Sequence, residues 1–498
     1  MATALQSEDQ KLAKLIRYCF IFSLVWHIVA AWFSIGYHLH DEYFSIQEFA
    51  GWKLGMSPVQ DLPWEFPARI RPAIQPYAVV LVMKCMGQYA NPVICAFLLR
   101  LFSAFLGLAS SFLMLGIGLK WVQGYSSKRF LILATTLLWF FTYLHARFSA
   151  EGISGSLFFL GLGCTWYAKE RKNNYLLYLS GLLLGLAFVC RYQTAFMIAG
   201  LLVWCIFFAR FSFVQLLRMG LAACVIVAIG IWLDKQFYGE WVSTAYNYYK
   251  VNVIEGVAAK RFGASPWWSY FLWALTDLIP PFSLFCVAGI LYAFYKFPKN
   301  PVVLAFIPFV LVHFFLSHKE SRFLYPLVNG LPIVLALSYN SIYDRWIKGR
   351  KIWAVSLNVY FVLNALILVG SSLKPASDQF SFFTYMYNHY NGKSATLLCF
   401  EPHNENPYNV VGLNINFFRP HDLQLVYSVT DTMADSVLAH KHGPVLTVFY
   451  NRKNEGSFLA KHPGARFVYS NIPDWLYHFN FNDWISRTRP YRLYEIKG

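Results

Sequence analysis

Long apolar runs limit the fold of this chain more than any other feature of its sequence. Runs of about 18 or more apolar residues recur from near the start to about residue 372, and a helix of about 20 such residues crosses a hydrocarbon core. The sequence therefore predicts an all-α polytopic membrane protein with about eleven spanning helices, several of them short. They are expected near residues 18–38, 93–119, 130–146, 153–168, 175–190, 194–209, 218–234, 268–295, 302–317, 323–342 and 352–372.

Composition agrees with a chain that lies mostly outside water. Charged residues make up 13% of the 498 residues, against about 25% in soluble globular domains. The formal net charge of +17 would suit a nucleic-acid partner. However, many basic residues fall in short loops between apolar runs, where they act as topology signals, so we expect the lipid bilayer and no nucleic acid as a partner. The nine cysteines show no metal-binding spacing, and no metal, cofactor or disulfide framework is predicted.

The charges in the loops predict the orientation. Alternate loops carry basic residues within 11–17, 120–129, 169–172, 210–218, 296–299 and 345–351, and the positive-inside rule makes these loops cytoplasmic. The first apolar run is too long for a signal sequence and is read as a true span. An odd number of spans then places the long loop 39–92 and the tail on the non-cytoplasmic side. Two membranes stay open, the bacterial inner membrane and that of the endoplasmic reticulum, with a periplasmic or luminal active site.

Residues 375–498 have a different pattern from the rest of the chain. Short apolar or alternating segments at 394–400, 423–428, 445–450 and 465–469 predict strands, and 436–440 lies in an expected helix. We therefore predict two domains: a transmembrane catalytic domain over 1–374 and a small external α/β domain over 375–498.

The first external loop carries polar residues that packing does not explain. Asp41 and Glu42 follow the first span directly, and this pair is either a solvated helix start or the source of a general base. Trp64, Glu65, Arg69 and Arg71 follow, and a loop of this composition would hold a sugar. Trp64 would then stack on the sugar ring, although Trp is also common at membrane interfaces.

A second group of polar residues lies at the later external turns. His318, Lys319 and Arg322 place three potentially cationic groups within five residues, which would clamp a phosphate. The alternative is a basic anchor that reaches toward the membrane surface, but the positive-inside rule keeps this side poor in Lys and Arg. Arg191 lies between two apolar runs, where a charge is costly unless it is paired or functional. Arg147 and Gln193 occupy neighbouring turns.

Taken in order, these segments resemble glycosyltransferase family 22, which includes the GPI third-mannose transferase and mannosyltransferases of the N-glycan pathway. The segments Asp41-Glu42-Tyr43-Phe44, Gln47-Glu48, Leu62-Pro63-Trp64-Glu65-Phe66 and Arg69-Ile70-Arg71 look like its first luminal loop. His318-Lys319-Glu320-Ser321-Arg322-Phe323 is similar to its His-Lys-Glu-x-Arg-Phe signature, and Arg147 and Arg191-Tyr192-Gln193-Thr194 resemble its other luminal arginine motifs. The likeness covers roughly 15–372. His40 replaces the usual Pro before Asp-Glu, which leaves the acceptor open and would suit a divergent bacterial member.

The resemblance implies a GT-C fold and an inverting transfer of mannose from a polyprenyl-phosphate donor to a glycan or glycolipid acceptor. It implies Asp41 as the general base, with Glu42 as the alternative, and His318, Lys319, Arg322 and Arg191 as ligands of the donor phosphate. The substrate-binding candidates are Trp64, Glu65, Arg69, Arg71, Arg147 and Gln193.

Three alternatives remain at this point. The first is a GT-C transferase that uses another lipid-phosphate sugar. The second is a lipid or glycan transporter or flippase, although such proteins show internal repeats and broken helices near the bilayer midplane, whereas the polar residues here gather at one face. The third is a non-catalytic assembly subunit.

Overall fold

The computed structural model describes residues 2–400, 405–440, 443–450, 452–480, 482, 484–487 and 490–496. The chain packs as two compact units. The first unit contains Met1–Ser34, Trp64–Ala78 and Phe97–Lys374. The second contains Ile35–Pro63, Val79–Ala96 and Pro375–Gly498. The predicted loop 39–92 therefore contributes to both units.

Helices account for the chain up to residue 373. They are α1 Ala2–Phe33, α2 His40–Tyr43, α3 Phe49–Lys53, α4 Glu65–Ala68, α5 Ile74–Met86, α6 Pro92–Trp121, α7 Gly124–Leu137, α8 Trp139–His145, α9 Ala150–Arg171, α10 Tyr175–Cys190, α11 Thr194–Val203, α12 Phe213–Tyr238, α13 Thr244–Tyr249, α14 Val257–Phe262, α15 Ser269–Asp277, α16 Phe282–Lys296, α17 Pro301–Phe315, α18 Leu331–Ile342 and α19 Lys351–Leu373. Turns of π-helix cover Phe44–Glu48, Trp204–Phe208, Lys250–Ile254 and Tyr343–Ile347, and 3-10 turns cover Val59–Asp61, Gly87–Tyr89 and Ser321–Gly330.

The predicted membrane helices are confirmed as helix, and their number stays a prediction. Among the described residues, five helical segments are long and apolar enough to cross a membrane: Glu8–Phe33, Pro92–Trp121, Phe213–Tyr238, Ser321–Ile347 and Lys351–Leu373. A bent pair, Phe282–Lys296 with Pro301–Phe315, is a sixth candidate with an angle of 110° between its helices. The other predicted runs form shorter helices or less apolar ones. The chain is thus a multi-pass membrane protein.

Three predicted spans differ from the structure. The run 130–146 is divided between α7 and α8, because Leu138 has extended backbone geometry. The run 268–295 is not one helix, because the chain leaves helical geometry between α15 and α16. Pro280 and Pro281 lie in this break; neither has a backbone N–H to donate, and a proline disfavours helical geometry in the residue before it. The first span ends at Phe33 rather than near residue 38. Gly36, with φ at +91°, turns the chain there.

Close packing of α11 against α17 depends on a glycine. A Cβ atom on Gly200 would lie 2.1 Å from the carbonyl oxygen of Leu304 and 2.8 Å from Cα of Ala305. Both neighbours are backbone atoms, which cannot rotate away as a side chain would. The two helices can approach this closely only because residue 200 has no side chain.

Replacing Gly200 with alanine should therefore lower thermal stability. We expect a loss of about 1–3 kcal/mol from overpacking, measured as a lower unfolding temperature in lipid or detergent. Gly220 on α12 is the matched control, since a Cβ atom there meets no atom within 4 Å. Equal unfolding temperatures for Gly200→Ala and Gly220→Ala would contradict this account.

The predicted α/β tail is confirmed. Its helices are α20 Gln379–Tyr390, α21 Asp431–His440, α22 Arg452–Lys461 and α23 Trp484–Arg487, and its strands are β1 Thr396–Phe400, β2 Asn409–Val410, β3 Leu413–Asn414, β4 Gln424–Val429, β5 Val445–Phe449, β6 Arg466–Ser470 and β7 Arg492–Ile496. The main sheet has the order β4-β1-β5-β7-β6. Strand β1 pairs in parallel with β4 and β5, and β7 pairs antiparallel with β5 and β6. Strands β2 and β3 form a separate antiparallel pair.

Burial and charge in the central strands explain why the sequence predicts β5 and not β7. Every residue of β5 is buried, as expected for an apolar strand covered on both faces. Strand β7 was not predicted. Arg492 and Glu495 interrupt its apolar pattern, and they pair with Glu455 and Arg466 respectively.

Candidate functional site

Turns at helix ends in the first unit bring six charged or titratable side chains together, and we call them the basic cluster. Its members are Glu151, Arg191, His318, Lys319, Glu320 and Arg322. Each lies where a helix begins or ends. Glu151 is in the first turn of α9, which the hydroxyl of Ser149 caps by accepting from the N–H of Gly152 at 3.0 Å. Arg191 follows the last residue of α10. The other members lie between α17 and the 3-10 turn Ser321–Gly330 or at the start of that turn.

Two arginines share the Glu151 carboxylate. Nη1 of Arg191 donates to Oε1 of Glu151 at 2.6 Å, and Nε of Arg322 lies 3.9 Å from the same oxygen. All three side chains are at most 10% exposed. Removing a partner from such a buried pair leaves an uncompensated charge, which destabilises strongly. Glu151 therefore keeps the two guanidinium groups close together despite their like charge.

Glu320 joins the other half of the cluster. Nη2 of Arg322 donates to Oε1 of Glu320 at 2.9 Å, and Nε of Arg322 lies 2.8 Å from Oε2 of the same carboxylate. Nε2 of His318 lies 3.0 Å from Oε1 of Glu320, and its Nδ1 lies 2.9 Å from the carbonyl oxygen of Gly263. Both ring nitrogens thus face acceptors. The contacts of His318 with Gly263 and Glu320 therefore fix the orientation of its ring beside Arg322.

Lys319 contributes a charge that no carboxylate neutralises. Its side chain is buried, and its Nζ donates to the carbonyl oxygen of Ser265 at 3.2 Å and to that of Leu316. Among the described residues, its polar partners are these two carbonyls. Burial lowers the pKa of Lys319.

Arg191 has two hydrogen-bond donors that no described residue accepts. It is 6% exposed, and its Nε and Nη2 are buried with no hydrogen-bond partner among the described residues. Its guanidinium lies over the ring of Phe323, 5.4 Å from the centroid. Buried donors are normally satisfied, so two open nitrogens on one side chain are suited to bind an anion.

The charge balance supports this interpretation. Three cations, from two arginines and one lysine, face two carboxylates, which leaves one positive charge in excess without counting His318. Planar guanidinium groups bind phosphate with two parallel hydrogen bonds, and the ammonium acts as a point charge. The basic cluster is suited to hold a phosphate group.

Trp64 lies beside this cluster. The guanidinium of Arg261 lies over the Trp64 ring, 4.7 Å from its centroid. The centroid of the Trp64 ring is 6.5 Å from that of Phe262, the last residue of α14. The ring of Phe262 in turn lies 5.8 Å from that of His318. The structure therefore brings two motifs together that are more than 250 residues apart in sequence.

The segment that follows Trp64 is held by the end of α12 and by α13. Glu65 is buried and accepts from Nη2 of Arg71 at 3.3 Å. Arg69 forms an ion pair with Glu240, and its carbonyl accepts from Nδ2 of Asn247 at 3.3 Å. Sequence reasoning did not select Glu240, because nothing in its local sequence sets it apart from any other exposed carboxylate.

Arg147 and Gln193 have different surroundings. Arg147 is 1% exposed; it donates to the carbonyl of Ser34, and its guanidinium lies 5.0 Å from the centre of the Tyr143 ring. These contacts tie the end of α8 to the end of α1. Gln193 donates from Nε2 to the hydroxyl of Tyr248. A role in substrate binding stays a prediction for both residues.

Asp41 and Glu42 lie in the second unit, in the first turn of α2. Both are half-buried. Oε2 of Glu42 accepts from the backbone N–H of His38 at 3.1 Å, so Glu42 stabilises its own loop. A carboxylate in the first turn of a helix also interacts favourably with the helix dipole. The assignment of the general base stays a prediction.

Comparison with solved structures identifies the class of fold. The crystal structure of ArnT from Cupriavidus metallidurans bound to undecaprenyl phosphate superimposes with a TM-score of 0.54, at 10% sequence identity and over 98% of each chain. The apo form gives a TM-score of 0.52. This protein therefore has the GT-C fold of polytopic membrane glycosyltransferases.

Sequence comparison identifies the family. Residues 18–410 match the Alg9-like mannosyltransferase family, and the chain belongs to it. The GPI alpha-1,2-mannosyltransferase 3 of Bos taurus is 26% identical over 37% of this chain and 33% of its own length. The GPI mannosyltransferase 3 of Drosophila melanogaster is 25% identical over 71% of this chain and 60% of its own length. These alignments thus span between one third and three fifths of the relatives' lengths.

Proposed function

We propose that this chain transfers mannose from a polyprenyl-phosphate-mannose donor to a glycan or glycolipid acceptor on the non-cytoplasmic face of its membrane. Membership of the Alg9-like mannosyltransferase family supports the sugar and the type of reaction. A relative from Schizosaccharomyces pombe, 25% identical over 46% of this chain, is a probable Dol-P-Man:Man(7)GlcNAc(2)-PP-Dol alpha-1,6-mannosyltransferase, which supports the lipid-phosphate donor. The charges in the loops support the orientation.

The observation that carries this proposal is the open guanidinium edge of Arg191 within a cluster of excess positive charge. In the donor, the phosphate is a diester with one negative charge. In the product, polyprenyl phosphate is a monoester with about two charges. Lys319, Arg322, His318 and Arg191 would therefore bind the departing phosphate more strongly than the intact donor, and such differential binding accelerates the reaction.

The transfer balances without a further reactant. Asp41 removes the proton from the acceptor hydroxyl, with Glu42 as the alternative base. The acceptor oxygen bonds to the anomeric carbon as the bond from that carbon to the phosphate oxygen breaks. The electron pair leaves with polyprenyl phosphate, which the basic cluster neutralises. Attack on the face opposite the leaving group converts a β-linked donor into an α-linked product.

The remaining candidates would orient the sugars. Trp64 is the candidate for stacking on a pyranose face, and its place next to Phe262 and His318 supports that role. We assign sugar hydroxyl contacts to Glu65, Arg69, Arg71, Arg147 and Gln193. We also propose that residues 1–374 form the catalytic domain and that the tail 375–498 lies on the same non-cytoplasmic side as the first external loop.

Transfer by the purified protein in lipid tests the proposal. The protein would be incubated with polyprenyl phosphate carrying tritiated mannose and with a panel of mannosylated lipid acceptors, and protein-free vesicles would serve as the control. GDP-mannose and polyprenyl-phosphate glucose would be tested in parallel. Label transfer from polyprenyl-phosphate mannose alone supports the proposal. Transfer only from the glucose donor shows a different GT-C specificity, and silence with every donor favours a transporter.

The Lys319 ammonium should set part of the pH dependence. An exposed lysine has a pKa of about 10.4, and burial lowers that of Lys319, so its charge is lost at a lower pH. The charged form of Lys319 binds the phosphate. On the alkaline side, kcat/KM should therefore begin to fall at a lower pH than it would if Lys319 had the pKa of an exposed lysine. Lys319→Arg keeps its charge over the whole range, and its rate relative to wild type should rise with pH. A constant ratio of the two rates would contradict the assignment.

A further inference from the structure

Glu48 is a buried carboxylate to which the mechanism assigns no role. It is 1% exposed and belongs to the second unit. Four donors surround it: Ser57 Oγ at 2.5 Å from Oε2, the backbone N–H groups of Asn416 and Phe417 at 2.7 and 3.0 Å from Oε1, and the hydroxyl of Tyr43. Burial raises the pKa of Glu48, and these hydrogen bonds oppose that rise. A buried carboxylate is stable only with such partners.

The donors come from two distant parts of the chain. Tyr43 and Ser57 belong to the first external loop, and the two backbone N–H groups belong to the tail. Asp61 makes a second link of the same kind, because its two oxygens accept from Nδ2 of Asn414 and of Asn416, each at 3.0 Å. Three tail residues, Asn414, Asn416 and Phe417, thus donate to two carboxylates of the loop.

Tyr43 connects this arrangement to the proposed base. It is the last residue of α2, two positions after Asp41, and it is 1% exposed. Its ring packs on Phe380 and Phe418 of the tail, with centroids 5.5 and 5.9 Å away. Helix α2 continues without a break into the π-helical turn Phe44–Glu48 and α3, so Tyr43 and Glu48 lie on one helical segment. The contacts of these two side chains with the tail therefore help to fix the orientation of α2.

We infer that Glu48 is a positioning residue, and that Glu48, Tyr43 and tail residues 414–418 form a brace that holds α2 in the orientation in which Asp41 acts. This inference rests on the proposed function for its catalytic consequence. It gives the tail a role that no motif in its sequence indicates. The brace acts through Tyr43, and none of its members needs to touch a substrate.

Two variants separate positioning from general stability. Tyr43→Phe and Ser57→Ala each remove one hydroxyl donor from the same carboxylate and leave it three others. Tyr43→Phe also keeps the ring that packs on the tail. Only Tyr43 lies on α2, so only its variant removes a hydrogen bond that α2 itself makes with Glu48. Both proteins should fold and insert, because each loses a single hydrogen bond.

Two readouts are needed. Hydrogen–deuterium exchange of the peptide covering residues 40–44 measures the brace directly, and steady-state transfer measures its consequence. We expect faster exchange and a kcat lower by on the order of 10- to 100-fold for Tyr43→Phe, with the KM for the donor little changed. Ser57→Ala should match wild type in both.

Two results would overturn the inference. Unchanged exchange at residues 40–44 in Tyr43→Phe would show that no brace exists. Faster exchange with unchanged kcat, or equal losses of kcat in the two variants, would show that the brace does not position the base. If wild-type protein transfers no sugar, the proposed function fails, and the exchange data still decide whether the brace is present.

Discussion

Replacing Asp41 with asparagine should reduce sugar transfer by about 100-fold to 10,000-fold. The amide has nearly the shape of the carboxylate but cannot accept a proton from the acceptor hydroxyl, and general base catalysis contributes a factor of this size. The initial rate of label transfer from polyprenyl-phosphate mannose is the measurement. The amide has nearly the size of the carboxylate, and the ring of Tyr43 still packs on Phe380 and Phe418, so the variant should fold and insert as wild type does.

Asp344→Asn is the control for this change. Asp344 lies in an exposed turn after α18, its side chain is 83% exposed, and it pairs only weakly with Lys348 at 3.2 Å. Its loss should leave transfer unaffected. If Asp41→Asn retains wild-type activity, Asp41 is not the base, and Glu42 becomes the candidate to test next.

Replacing Arg191 with lysine should have the second large effect. Lysine keeps the positive charge beside Glu151, so the buried pair survives and stability should change little. A lysine side chain has one nitrogen, so it cannot replace Nε and Nη2 of Arg191, which are buried without a hydrogen-bond partner among the described residues. If these nitrogens bind the departing phosphate, kcat/KM for the lipid donor should fall by about 100-fold or more.

The matched control is Arg466→Lys. Arg466 also pairs with a carboxylate, that of Glu495 at 2.6 Å, but its side chain is 63% exposed on the tail. Exposed pairs of this kind contribute little, and transfer should stay at the wild-type rate. Activity of Arg191→Lys within about threefold of wild type would show that the open nitrogens have no ligand in the reaction.

The motif at residues 318–323 is the part of the candidate site that the sequence predicts best. Its run of His, Lys and Arg indicated a phosphate clamp, and the structure places these residues in one cluster with Arg191. The carboxylate that organises the cluster, Glu151, is not among the predicted site residues. A buried acid between apolar runs needs a charged partner, so its position next to an apolar helix was a usable signal.

The tail shows the opposite limit. Strand β5 can be predicted from sequence because both of its faces are covered and its residues form a continuous apolar run. Strand β7 cannot be predicted in this way, because ion-paired residues interrupt its apolar pattern. The interruption between α15 and α16 has a local cause in two adjacent prolines. Adjacent prolines in an apolar run predict a break, and here they divide the run 268–295 into α15 and α16.

The amino-acid sequence by itself determined that this chain crosses a membrane repeatedly, that it carries the motifs of the Alg9-like mannosyltransferase family and that an α/β tail follows. These properties depend on local composition and order along the chain. Only the tertiary structure decided which nitrogens of Arg191 remain open, that His318 faces two acceptors and that Glu48 binds the tail. Each of these depends on partners brought together by helix and strand packing across tens to hundreds of residues, and no local pattern in the sequence specifies such partners.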